Sequence, residues 1–110
     1  MKRGEVWTAS GGPDYAREPR PVVIVQNDLF DATDSITICG FTSDDARASE
    51  FRLPVTPNDR NGLRQACSIM VDKISTVSKE KLGRRIGRLD DRDVVRLNRA
   101  IMVFLGLGGA

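Results

Sequence analysis

Hydrophobic positions fall in short clusters separated by polar turns as far as residue 89, and from residue 90 their spacing becomes helical. The run Val22-Val23-Ile24-Val25 is uninterrupted and β-branched, the pattern of a strand covered on both faces, and Gln26-Asn27-Asp28 supplies the turn residues that end it. Pro21 has no N–H for a sheet ladder, which suits the first residue of a strand, and it holds Arg20 extended at the rim. Further strands are expected at 4–10, at 36–41 with Thr42 at the end, at 51–55, at 66–71 and at 83–89. Pro54 restricts the fourth strand to an edge or a bulge. Residues 72–77 are expected to form one helical turn, and 11–19, 44–49 and 56–62 are loops. Asp90 stands as the N-cap of a long final helix, with Asp91 and Asp93 in its first turn. Val94, Leu97, Ile101, Phe104 and Leu105 form its apolar face, and Gly106 and Gly108 end it. Short strands followed by one amphipathic helix predict a mainly β chain, a small strongly bent β-barrel with the C-terminal helix packed on it.

The 110 residues make one domain, 1–110, of a size at which pairing with a second copy adds useful burial, so a homodimer is expected. An apolar fraction of 40% and a charged fraction of 29% place the chain among soluble globular proteins, with no apolar run of membrane-spanning length. The start Met1-Lys2-Arg3-Gly4-Glu5 lacks an apolar signal region, and a cytoplasmic location is expected. Cys39 and Cys67 lie in apolar runs without metal-like spacing and read as reduced, buried small residues. Net charge is only +2, yet from Lys73 onward nine basic residues stand against four acidic ones, among them Arg84, Arg85 and Arg88. Such a face attracts polyanions, nucleic acid or an acidic peptide, although a solvated surface is the commoner reason for a charge run.

Several motifs resemble one family in order and spacing. Lys2-Arg3-Gly4-Glu5-Val6-Trp7, the strand Arg20-Pro21-Val22-Val23-Ile24-Val25-Gln26-Asn27-Asp28, Thr42 after an apolar strand, and Asp72-Lys73-Ile74-Ser75-Thr76-Val77 are together similar to the MazF/PemK (Kid) toxins of bacterial toxin–antitoxin modules. The resemblance spans nearly the whole chain. It implies an SH3-like barrel of the CcdB/MazF/Kid type, acting as a homodimeric endoribonuclease on single-stranded RNA and held inactive by a cognate antitoxin with an acidic, disordered tail. It also implies that Arg20 and Thr42 are the central catalytic positions, joined by Asp72, with Glu5 near the same groove. Residues 11–19 are shorter than the family's loop and lack its usual pattern, and Met70 stands where a relative carries a basic residue.

The chemistry can be weighed on the residues alone. RNA cleavage through the 2′-hydroxyl needs a proton removed, charge stabilised on the phosphorane-like transition state, and a proton for the departing 5′-oxygen. A chain without histidine cannot use two imidazoles and must lean on electrostatics. The fork of Arg20 matches two phosphate oxygens, and Thr42 can donate to phosphate or orient the 2′-hydroxyl. A solvated rim charge and a strand-end hydroxyl bonded to backbone are the plain readings of the same two residues. Asp72 or Glu5 accepts a proton only if the site raises its pKa; each serves equally as a cap or rim charge. Candidate RNA contacts are Glu5, Tyr15 as a stacking ring, Arg17 and Ser43, with base reading expected from residues 11–19 and 44–50. Arg84, Arg85 and Arg88 are the candidate antitoxin surface. No acidic cluster has metal-binding spacing, so no metal and no cofactor are expected. Two other readings are a CcdB-like toxin that binds DNA gyrase without catalysis, and a non-catalytic SH3-like RNA-binding module. Against the former, the tail Gly106-Leu107-Gly108-Gly109-Ala110 has no aromatic residue.

Overall fold

The computed structural model describes residues 1–10, 19–43 and 51–108. Its strands are β1 (Glu5–Ala9), β2 (Arg20–Ile24), β3 (Ser35–Thr42), β4 (Arg52–Val55), β5 (Cys67–Ser78) and β6 (Leu82–Arg88), and they precede one helix, α1 (Asp91–Leu105). They form a single six-stranded sheet in the order β4-β5-β3-β2-β1-β6, antiparallel throughout. No helix among the described residues is long and apolar enough to cross a membrane.

The β-branched run puts β2 inside the sheet. Val23 packs on one face with Val6, Cys39, Phe41, Ile69 and Val71, while Val22 and Ile24 pack on the other with Ala9, Ile36, Ile38 and Leu82. All three residues are 1% exposed or less, and each side chain so buried stabilises the fold by about 1.5–3 kcal/mol. The first face is covered by α1, which buries Leu97 completely and lays Val94 and Ile101 against the core. The helical spacing of these apolar positions is what turns them to one side. Phe104 and Leu105, expected on the same face, are half exposed at the end of the helix, and the ring of Phe104 meets that of Phe51 at 5.8 Å between centroids.

Two local expectations are corrected. Residues 72–77 are not a helical turn; they continue β5, pairing Ile74 with Cys39, Thr76 with Thr37 and Val77 with Ile36. The β-branched content of this stretch favours a strand, and the Thr37 and Thr76 hydroxyls bond across it at 2.7 Å. A register shift opposite Gly40, between the Cys39–Ile74 and Phe41–Ile69 pairs, lets the long strand bend between β3 and β4. Asp90 does occupy the N-cap, but its side chain makes no capping bond. It accepts instead from Asn58 Nδ2 at 3.1 Å, drawn to the turn that precedes β5.

That turn, residues 56–62, is fastened to β6. Asn61 is fully buried, accepting from the N–H groups of Asn58 and Leu63 at 3.1 and 3.0 Å and donating to the Thr56 carbonyl at 2.9 Å. Arg88 N–H donates to the Arg60 carbonyl at 2.9 Å. The two segments approach so closely that a methyl group on Gly87 would strike the backbone of Asn61, and one on Gly62 would strike the carbonyl of Ile86. Gly87→Ala is therefore expected to lower stability by about 1–3 kcal/mol, as overpacking does. Urea unfolding checks this, and an unchanged midpoint would mean that the turn is free to shift away from β6.

Candidate active site

Antiparallel pairing sets the start of β2 beside the end of β3 and the end of β1. Val22 pairs with Gly40 and Arg20 with Ala9, so Arg20 and Thr42 emerge at the same end of the sheet. Thr42 in turn pairs with Ser68 near the start of β5, and Trp7 pairs with Arg85 of β6. The groove formed there, of about 980 Å³, is lined by Arg20 and Thr42 together with Thr8, Ser43, Arg64, Gln65, Arg84 and Arg85, over a floor that includes Phe41, Leu63 and Ile86.

Its charge is one-sided. Four arginines line the groove, and no aspartate or glutamate does so among the described residues. Arg85 is partly compensated from behind by Glu5, whose Oε2 lies 3.2 Å from Nε. Arg20, Arg64 and Arg84 form no ion pair with another described residue. Guanidinium forks facing a shared cleft with no described acid lining it create a positive field fitted to phosphate groups.

The carboxylates proposed from sequence stand outside this lining. Glu5 is held by Trp7 Nε1 at 3.0 Å and by the Lys2 N–H at 2.9 Å. Burial alone would push its pKa up, but those two bonds and the Arg85 charge together outweigh it and hold the carboxyl below its ordinary value. Asp72, on β5, is gripped by Arg52, which donates from Nε at 2.8 Å and from Nη2 at 3.1 Å. This double hydrogen bond holds the Asp72 carboxyl low against a smaller opposing effect of burial. Neither acid shows the raised pKa on which a proton-accepting role was conditional.

Arg88 also lies apart from the groove, paired with Asp91 at 3.5 Å. Tyr15, Arg17 and residues 44–50 are outside the described residues. Cys67 lines the groove and Cys39 is buried in the core; both are free, and desolvation raises both thiols, Cys39 to about 12. Among the described residues, no group of three or more His, Cys, Asp or Glu side chains is placed to hold a metal ion. Thr8, Arg64 and Gln65 were missed from sequence. The available signal was a polar pair, Arg64-Gln65, set between Leu63 and the start of an apolar strand.

Fold and groove together define a small single-sheet β protein that presents a cation and a hydroxyl in one arginine-lined cleft. The chain belongs to the PemK-like, MazF-like toxins of type II toxin–antitoxin systems, a family that it matches over residues 2–105. It is 44% identical to a probable endoribonuclease MazF of Mycolicibacterium smegmatis over 99% of this chain and 100% of that one. It is 30% identical to endoribonuclease MazF9 of Mycobacterium tuberculosis, over 97% and 98% of the two chains. Among solved structures it resembles the Mycobacterium tuberculosis toxin MazF-mt6, with a TM-score of 0.78 and 26% identity over 94% of this chain and 97% of that one. It also shares the fold of a mycobacterial endoribonuclease in complex with its cognate antitoxin, with a TM-score of 0.81, 24% identity, and coverage of 97% and 96%.

The Arg52–Asp72 pair yields a pH prediction. Because the folded pKa of Asp72 is depressed, its contribution to stability is present above the ordinary carboxylate pKa and is lost as pH falls through the lower, folded value. Asp72→Asn should cost about 1.5–3 kcal/mol at pH 7, the range for a hydrogen bond to a charged group. The gap between variant and parent in urea unfolding should close on acidification; a gap constant with pH would contradict the linkage.

Proposed function

We propose that this chain is the toxin of a type II toxin–antitoxin pair and acts as a sequence-specific endoribonuclease on single-stranded RNA, with Arg20 and Thr42 as its cleaving pair. The observation that carries the reading is their convergence in a groove lined by three further arginines, of which Arg64 and Arg84 have no acidic partner among the described residues and Arg85 is paired with Glu5. Close relatives that bear the name endoribonuclease support the same activity.

In the proposed reaction the 2′-oxygen bonds to phosphorus as the bond to the 5′-oxygen breaks. The 2′-hydroxyl gives up its proton to solvent, a cyclic phosphate is left on one product, and the departing 5′-oxygen takes a proton from solvent to become the hydroxyl of the other. Arg20 neutralises the charge that builds on the non-bridging oxygens, and the Thr42 hydroxyl holds the same phosphate group. Asp72 contributes by fixing Arg52, and Glu5 by fixing Arg85 at the groove wall. Ser43, Tyr15 and Arg17 are assigned to RNA contact.

A cognate antitoxin with an acidic tail would lie on Arg84, Arg85 and Arg88. Since the first two line the groove, such a tail would exclude RNA by occupying its charge sites. We further read the sheet as an SH3-like barrel drawn together by the Arg60–Arg88 bond, and the working form as a cytoplasmic homodimer. Sedimentation at micromolar concentration should return twice the chain mass; a monomer would refute the dimer.

The decisive experiment incubates the protein with a long unstructured RNA in EDTA beside Arg20→Ala. The parent should give discrete cuts with cyclic phosphate at the new 3′ ends. The variant should keep its circular dichroism spectrum and lose about 10²–10³-fold in rate, as when a charge-stabilising donor is removed. Intact RNA with the parent would overturn the reading, and an unfolded variant would make Arg20 structural.

A further inference from the structure

Resting on the ribonuclease reading above, we propose that Gln65 is a specificity-determining residue, the side chain that reads the edge of one unpaired base beside the cleaving pair. The arginines of the groove offer donors only, and the hydroxyls of Thr8, Thr42 and Ser43 rotate to serve as donor or acceptor. Gln65 carries the one side-chain amide among the described lining residues, with a donor and an acceptor fixed in one plane. That geometry matches a base edge with one donor next to one acceptor, such as N6–H and N7 of adenine, and mismatches an edge with two acceptors, such as O6 and N7 of guanine. Unpaired RNA bases expose such edges because they are not enclosed in the deep, narrow major groove of an A-form helix.

The backbone at this position is held on both sides. Leu63, two residues earlier, is buried in the core and its N–H donates to Asn61 Oδ1 at 3.0 Å. Cys67, two residues later, is already paired with Val55 in the sheet. Between these anchors Gln65 is exposed, lies three residues before the cross-strand partner of Thr42, and makes no hydrogen bond to another described residue. A short bridge between two fixed points leaves only the Gln65 side-chain rotamers to be ordered on binding, and the amide has no hydrogen-bond partner among the described residues to give up.

The test compares end-mapped cleavage of one long RNA in EDTA by the parent, Gln65→Ala and Gln65→Glu. The parent should prefer, at one position of its motif, a base with a donor beside an acceptor. Gln65→Ala should lower that preference by about tenfold or more, within the discrimination of a good bidentate pair. Gln65→Glu, which lacks the donor, should disfavour that base, and preferences elsewhere in the motif should not move in either variant. Variants that cut the same motif with the same ratios would overturn the proposal, as would folded variants that cut nothing, which would make Gln65 part of the cleaving machinery. Should the variants fail to fold, the parent acting on an RNA whose preferred base lacks the acceptor atom decides the matter. A loss of about tenfold upholds base reading, and an unchanged rate overturns it. Intact RNA with the parent would instead sink the ribonuclease reading itself.

Discussion

The structure depends on a strand that must be hidden on both sides. Val22, Val23 and Ile24 have no polar face to offer water, so β2 requires a full core above and below it. Five other strands and one helix are arranged around that need. The cost of burying the strand's polar backbone is met by pairing with β1 and β3, and this pairing carries the end of β3 to the start of β2. Arg20 and Thr42 are therefore neighbours because of hydrophobic cover two residues away, and a change that loosened β2 would separate them without touching either.

Much of this was legible before any coordinates. A β-branched run, a proline at its start and a helical repeat at the end of the chain are local signals, and they located β2, Arg20 and the buried side of α1. Residues 72–77 were misjudged because what makes them a strand is the partner β3 offers, including a threonine-to-threonine bond that no window of sequence displays. The idle side chain of Asp90 had the same origin, since the competing donor, Asn58, lies far away in the chain. Gln65 and Arg64 were hidden in a stretch without periodicity. The turn that leads into them is fixed by the buried Asn61 and the narrow gap at Gly87, both of them tertiary facts.

Charge in the molecule is sorted rather than balanced. Asp72, Glu5 and Asp91 each hold an arginine, and all three acids stand outside the lining of the groove. Arg20, Arg64 and Arg84 face into it. The same sorting explains why Arg84 and Arg85, two of the three arginines read from sequence as an antitoxin surface, are found in the cleft with Arg20 and Thr42. One electrostatic feature would serve substrate and inhibitor, and the geometry of their contacts would distinguish them.

A cleft in which three of four arginines have no counter-ion among the described residues has a further consequence for the free protein. In any cell or buffer it carries a cloud of small anions, and occupation of the cleft begins with their displacement. The gain from releasing those ions shrinks as the surrounding salt rises, so the grip of the cleft belongs to the medium as much as to the chain. The same molecule would be adhesive in a dilute solution and reserved in a concentrated one, with no atom of its fold having moved.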